Sequence, residues 1–161
     1  TYLSIQELCK KNDIFINIVT GPGYRGYTTL SEEVRSRGGA SVTHSTGVIS
    51  NIMEAVELAI TSNGRTVYEL AHMNIPGIIV PVNEREKTHA FACEDNGFVP
   101  LNGFREKETP GEVLSALEKL LDDTEYRKKL YQNTVSFNFS NNKANVLKKI
   151  EDLLNQECLV V

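Results

Sequence analysis

The order of apolar and polar positions predicts helices and strands that alternate along most of the chain. Apolar residues at helical spacing, about 3.6 residues apart, are followed repeatedly by short runs rich in β-branched residues. Such runs are typical of parallel strands that are buried on both faces. The pattern therefore predicts an α/β fold with a doubly wound, mostly parallel sheet of the Rossmann-like kind.

The predicted strands and helices alternate as far as residue 104, and only helices are predicted after that residue. Strands are predicted at residues 13–21, 40–46, 57–62, 77–82 and 97–103. Helices are predicted at residues 2–11, 28–38, 64–73 and 86–95, with a turn and a short helix at 47–56. From Pro110 onward two or three helices are predicted, the last near residues 142–156. We expect one domain over residues 1–161, with its core at 1–104 and C-terminal helices at 110–156.

Composition narrows the classes of function. The net charge of −4 comes with no block of basic residues, so we expect no nucleic-acid partner. No apolar run approaches the roughly 20 residues of a membrane span, and no leader precedes the first helix, so no integral membrane segment is expected. Three scattered cysteines, Cys9, Cys93 and Cys158, favour a reducing compartment, and we expect a cytoplasmic location. No cluster of carboxylates indicates a metal site, and no cofactor is expected.

A parallel sheet of this kind binds its ligand beyond the carboxyl ends of the strands, so the loops that follow strands are the candidate sites. The first loop, residues 20–26, has glycines on both sides of a proline and is either a ligand contact or an ordinary turn. The second loop places Val48 and Ile49 before a helix, where they can cup a flat base or simply pack the start of that helix. His44, just before this loop, can face the same crevice.

The third loop, at residues 62–66, carries the most informative chemistry. Asn63 and Gly64 end a strand, and Arg65 and Thr66 open a helix. Free backbone N–H groups, a hydroxyl and a guanidinium therefore converge at a helix N-terminus, which is typical of a phosphate site. The alternative is that Ser62 or Asn63 only caps the helix.

Glu69 lies three residues after Thr66, on the same side of the predicted helix. Its carboxylate can accept two hydrogen bonds from a ribose diol. The alternative is an ordinary solvated charge on a helix surface.

Residues 62–99, "SNGRTVYELAHMNIPGIIVPVNEREKTHAFACEDNGFV", resemble the donor-binding C-terminal half of the two-domain GT-B enzymes. The similar branch contains the family 28 glycosyltransferases and the UDP-sugar hydrolase of pseudaminic acid synthesis, and the resemblance covers about residues 2–104. Its pattern is a Gly-x-Thr-x-x-Glu turn after a strand, a turn before a second strand, and a proline at the end of that strand. The matching residues are Gly64, Thr66, Glu69, Pro76 and Pro81.

The resemblance implies a site for a nucleotide sugar, with UDP as the expected nucleotide. It implies base contacts from Val48 and Ile49 and ribose contacts from Glu69. The diphosphate would lie against the turn of Asn63, Gly64, Arg65 and Thr66. The donor sugar would contact the polar segment that contains Asn83, Glu84, Arg85, Glu86 and His89. The branch often has Gln and Asn where Arg85 or Glu86 and His89 stand here, which leaves the sugar open.

Members of this branch begin the same domain with a strand and a glycine-rich turn before a helix that resembles residues 2–11. The first strand of that plan is missing from this sequence, so we expect a fragment that lacks an N-terminal domain or that self-associates. The catalytic base in this branch generally comes from the other domain. The catalytic residue is therefore unknown, with His89 as the one candidate, and we expect the isolated chain to be inactive.

The resemblance thus implies the donor-binding domain of a glycosyltransferase or hydrolase that acts at the anomeric carbon of a UDP-sugar in bacterial-type surface polysaccharide or glycan biosynthesis. One alternative is a non-catalytic flavodoxin-like or receiver-like binding module. A second alternative is a domain similar to the nucleotide-sugar 2-epimerases, which share the GT-B plan.

Overall fold

A computed structural model describes residues 1–136 and 142–157 of the chain. Strands and helices alternate through its first part, and three helices follow. The strands are Ile16–Thr20 (β1), Ala40–His44 (β2), Ala59–Thr61 (β3), Gly77–Ile79 (β4) and Phe98–Pro100 (β5). The helices are Tyr2–Lys11 (α1), Tyr27–Arg37 (α2), Ile49–Met53 (α3), Thr66–His72 (α4), Glu84–Lys87 (α5), Thr109–Asp122 (α6), Thr124–Val135 (α7) and Asn142–Glu157 (α8).

The five strands form two small sheets, and every strand pair is parallel. β1 pairs with β2, and β3, β4 and β5 pair in that order. The α/β class and the parallel pairing predicted from the sequence are confirmed. Each pair is joined by a crossover that contains a helix, as parallel pairing requires.

Each sheet has two edge strands, β1 and β2 in one and β3 and β5 in the other. Ile16 N donates to Gly39 O at 3.1 Å, and Ala59 N donates to Pro76 O at 3.1 Å. Because alternate residues of a strand bond to opposite sides, the backbone groups of Val19 and Ile60 point away from these partners. Among the described residues, neither amide has a hydrogen bond to another strand.

The two sheets share one apolar core although they are not hydrogen-bonded to each other. Ile16 of β1 and Ile60 of β3 both pack against a buried cluster that includes Ile5 of α1, Ile78 of β4 and Leu117 of α6. All three residues of β4 are buried, whereas no residue of β1 or β3 is fully buried. Strands β1 and β3 therefore contact the same core, and neither is fully buried.

A second apolar cluster lies under the loops that follow the strands. Its buried members include Val67 and Leu70 of α4, Ile79 of β4 and Phe98 of β5. Ile49, the first residue of α3, packs against the same cluster. The starts of α3 and α4 are thus supported by one common core.

The predicted helix at residues 86–95 is wrong. The chain forms α5 at Glu84–Lys87 and a 3₁₀ turn at Glu94–Asn96, with irregular backbone between them. α5 begins early because the side chain of Asn83 accepts a hydrogen bond from Glu86 N and caps it. It ends after one turn because the side-chain amide of Asn63 donates hydrogen bonds to the carbonyl oxygens of Glu86 and His89. In a longer helix these oxygens would accept from backbone N–H groups instead.

The other predicted helices are present with small shifts at their ends. α1 spans the predicted residues, and α2 ends at Gly38, which has a φ of 70° that glycine adopts at low cost. Cys9 is buried and Cys93 is partly buried, both as free thiols, and Cys158 lies outside the described residues. No helix in the described ranges has the length and apolar character needed to cross a membrane.

Candidate functional site

The loop between β3 and α4 is fixed by one buried side chain. Asn63 is only 5% exposed, and its amide nitrogen donates to the carbonyl groups of Glu86 and His89, each at 2.9 Å. The N-cap position of α4 is Arg65 and has no side-chain capping bond. Asn63 is therefore not a helix cap, and its side chain supports the loop.

Glu86 ties the same loop to the end of β4. Its Oε2 accepts from Asn63 N at 3.2 Å and from Val82 N at 2.9 Å. His89 adds a third link, because its Nδ1 lies 2.8 Å from the carbonyl oxygen of Asn63. A carbonyl oxygen only accepts, so Nδ1 carries the proton and Nε2 is left as an acceptor in the neutral ring. The loops after β3 and β4 thus form one braced unit.

The amides of Gly64, Arg65 and Thr66 remain as hydrogen-bond donors in this braced unit. None of the three donates to another described residue. Arg65 is exposed, and its guanidinium belongs to the same turn. A Cβ placed on Gly64 would meet only Ser62 Oγ at 3.6 Å and Glu86 Oε1 at 4.0 Å. The turn is consequently open on one side and rich in donors, which suits the oxygens of an anion.

Helix α4 limits how the turn can attract that anion. It has only 7 residues, from Thr66 to His72, so its macrodipole is weak and the individual amides matter more. Glu69 lies in its first turn and is exposed, three residues after the partly buried Thr66. A hydroxyl, free amides and a carboxylate are therefore present within one turn of helix, as a phosphate-plus-ribose site requires.

The candidate base residues lie at the start of the neighbouring helix. Val48 is 54% exposed and precedes α3, and its amide donates to Thr46 Oγ1 at 3.1 Å. Ile49 packs on the cluster that also contains Val67 of α4. Ile49, which follows Val48, and Val67, which follows the Gly64–Thr66 turn, thus pack in the same apolar cluster.

The candidate sugar residues are divided between structural and accessible positions. Asn83 caps α5, and Glu84 pairs with Lys87 at 2.6 Å on the surface. The carboxylate of Glu86 already accepts hydrogen bonds from two backbone amides of the braced loops. Arg85 is exposed on α5. Of this group, the guanidinium of Arg85 and Nε2 of His89 are the groups best able to meet a sugar.

A further polar group lies at the ends of β1 and β2. Thr20 and His44 are paired in register, and Thr20 Oγ1 lies 2.9 Å from His44 Nδ1. The ring of Tyr27 stacks on His44 with a centroid distance of 4.7 Å and an angle of 29°. The sequence analysis proposed His44 but not Thr20 or Tyr27. Thr20 and His44 both lie near the carboxyl ends of their predicted strands, and this shared position could have indicated that they are neighbours.

No group of His, Cys, Asp and Glu side chains in the described part of the chain is arranged to hold a metal ion. Comparison of this chain with models of protein families, with curated proteins and with solved structures found no match to any of them. The function is therefore inferred from the chemistry of the strand-end loops and from the resemblance of their sequence.

Proposed function

We propose that this chain is the donor-binding domain of a GT-B glycosyltransferase or UDP-sugar hydrolase. The observation that carries the proposal is the turn at the carboxyl end of β3. Its three amides, from Gly64 to Thr66, lack a partner among the described residues and lie in a loop that Asn63 and Glu86 hold rigid. Rigid donors bind an anion without the cost of ordering them at the moment of binding.

In this proposal the diphosphate of a UDP-sugar accepts hydrogen bonds from the Gly64–Thr66 amides and from the Thr66 hydroxyl. Arg65 adds a positive charge, which strengthens hydrogen bonds to phosphate oxygens. Glu69, exposed in the first turn of α4, accepts from the ribose hydroxyls. The uracil lies against Val48 and Ile49 at the start of α3.

The reaction served by such a site is transfer or hydrolysis at the anomeric carbon of the sugar. Donors fixed at the diphosphate stabilise the charge that develops on the leaving UDP. The Nε2 atom of His89 can accept a proton in the neutral ring that Asn63 favours. We assign no catalytic residue, because a general base needs hydrogen-bond reach to the attacking hydroxyl or water.

The same proposal includes a complete doubly wound sheet in which a further parallel strand joins β1 to β3. Residues of β1 and β3 pack against a common core, and the amides of Val19 and Ile60 point away from their paired strands. Parallel strands are normally apolar because both faces of their sheet are buried. β1 and β3 are largely apolar but only half-buried, as expected if a neighbouring strand completes the sheet. A strand in this position would give the order β2, β1, inserted strand, β3, β4, β5.

A nucleotide screen by thermal unfolding tests this function. We expect UDP to raise the unfolding temperature, since a ligand at about 100 times its dissociation constant adds about 2.7 kcal/mol. UMP, which has a single phosphate, should stabilise less, and ADP and GDP should stabilise little. A protein that UDP leaves unchanged at millimolar concentration, or that responds equally to all diphosphates, contradicts the proposal.

A further inference from the structure

We infer that helix α8 pairs in parallel with α8 of a second copy of this chain, so that the chain forms a two-fold dimer through this helix. Five large apolar side chains of α8 are 48–60% exposed: Val146, Leu147, Ile150, Leu153 and Leu154. None of the described side chains of α8 belongs to either of the two buried apolar clusters. This apolar surface is therefore not part of the core that the described residues form.

The five exposed side chains form one continuous stripe along α8. With about 100° between successive residues, all of them lie within about 60° of Ile150 around the helix axis. Leu147, Ile150 and Leu154 follow the i, i+3, i+7 spacing of a helix that packs against another helix. The stripe is thus shaped to cover a helix of similar length.

The charges of α8 give this stripe two different margins. Glu151 lies about 100° from Ile150 on one side of the helix, and Lys149 lies about 100° from it on the other side. Both are one residue from Ile150, so they stand at nearly the same height. Lys148 and Asp152 lie farther round, close to the face opposite the stripe. One margin of the stripe is therefore acidic and the other is basic.

These margins match a second copy of the same helix. In a parallel pair related by a two-fold axis along the helices, the acidic margin of each helix lies beside the basic margin of the other. Glu151 of each copy then meets Lys149 of the other copy. In an antiparallel pair equal margins would meet, which places Glu151 beside Glu151 and Lys149 beside Lys149, at a cost. Burial of the stripe supplies the affinity, and the charges select the parallel direction.

The charge balance of α8 argues against a strongly charged partner. Residues 144–155 contain two lysines and two carboxylates, with no excess of either sign. A helix that lies on an anionic membrane surface is instead rich in Lys and Arg on its polar face. A two-fold interface requires a surface that is complementary to itself, and the stripe with its two margins meets that requirement.

Analytical ultracentrifugation of the chain over a concentration series tests the inference. We expect the wild type to pass from monomer to dimer as its concentration rises. Ile150→Glu and Leu154→Glu should each weaken the dimer at least about tenfold, because a carboxylate would then be buried in the apolar seam. Asn145→Glu adds the same charge at an exposed position of α8 outside the stripe and should leave the dimer unchanged.

Two charge variants test the direction of the pair. Lys149→Glu and Glu151→Lys should each weaken the dimer by about threefold or more, because like charges then meet across the parallel pair. The double variant exchanges the two margins and should restore the affinity of the wild type. Single variants that dimerise as the wild type does would overturn the parallel arrangement, because an antiparallel pair only exchanges one pair of like charges for another.

A chain that stays monomeric at every concentration overturns the inference, as does a dimer that Ile150→Glu and Leu154→Glu leave unchanged. A monomer whose unfolding temperature falls in Ile150→Glu would show that α8 packs on its own chain. A monomer that binds phosphatidylcholine vesicles through α8 would show that lipid covers the stripe. Circular dichroism checks that each variant is folded, and Leu154→Glu decides if Ile150→Glu is not. None of these outcomes depends on nucleotide binding, so the proposed function is tested separately.

Discussion

Asn63 and His89 hold each other through two hydrogen bonds. The side-chain amide of Asn63 donates to the backbone carbonyl of His89 at 2.9 Å, and Nδ1 of His89 donates to the backbone carbonyl of Asn63 at 2.8 Å. This pair joins the loop after β3 to the loop after β4. The rigidity of the donor-rich turn at Gly64–Thr66 depends on it.

Replacing Asn63 by alanine should lower the free energy of unfolding by about 1–3 kcal/mol, because the carbonyl groups of Glu86 and His89 lose their donor. Chemical denaturation measures the change. Asn102→Ala is the matched control at an exposed position and should change stability by less than about 0.5 kcal/mol. Equal stability of both variants would show that the Asn63 bonds do not hold the loops together.

The Gly64→Ala variant separates ligand binding from folding. Gly64 does not have a positive φ, and its added methyl would make only ordinary contacts, at 3.6 Å and beyond. We therefore expect stability to be kept or raised slightly, by up to about 1 kcal/mol. UDP affinity should fall about tenfold, because the methyl keeps the diphosphate from close approach to the backbone.

The matched control for that variant is Gly111→Ala, at a glycine of α6 with open space around its Cβ position. It should leave UDP affinity unchanged. If Gly64→Ala binds UDP as tightly as Gly111→Ala does, the diphosphate does not approach this turn.

Local patterns predicted much of the fold. The apolar spacing located α1 at its observed residues, and the glycine at position 38 marked the end of α2. In the structure Gly38 has a positive φ, which glycine adopts at low cost. The roles of Asn63 and Glu86 could not be predicted in the same way. The bonds of Asn63 to Glu86 and His89 join residues 23 to 26 positions apart. Such partners are set by how β3 and β4 pack, which no local pattern reports. Both were expected to contact ligand, and the structure uses their polar groups to brace the loops.

The unpaired edges of β1 and β3 predict a particular pattern of amide exchange. In the monomer, the amides of Val19 and Ile60 should exchange with solvent faster than those of Ile16 and Ala59. The latter two donate to the backbone carbonyls of the residues just before β2 and β4. Hydrogen exchange followed by NMR, on a sample shown to be monomeric by sedimentation, measures this. Slow exchange at Val19 and Ile60 in the monomer would mean that these edges are already paired. A free edge is also a template for pairing between chains, so protection that appears only in a dimer would show self-association.

Tyr126 should give the chain a specific response to alkaline pH. Burial, the hydrogen bond to Glu94 and the charges of Glu94 and Asp123 together raise the pKa of Tyr126 well above its usual range. The stabilisation from the protonated phenol is therefore complete below pH about 10 and is lost as the pH rises through the raised pKa.

Tyr126→Phe should consequently reduce the fall of unfolding free energy above pH about 10, and should cost about 1 kcal/mol at neutral pH through the lost bond to Glu94. Tyr131→Phe, at an exposed position of the same helix, is the control and should do neither. An alkaline slope in Tyr126→Phe equal to that of the wild type would contradict the account of this contact.

The central claim is that UDP binds at the start of α4. Titration calorimetry with UDP on the wild type, Thr66→Ala and Glu69→Ala tests it most directly, with Thr29→Ala and Glu118→Ala as controls at exposed helix positions. We predict that the wild type binds and that each site variant weakens binding by about 1–3 kcal/mol, as expected for lost hydrogen bonds to charged groups, while the controls do not. Binding of equal affinity in all five proteins, or no binding by the wild type, would contradict the claim.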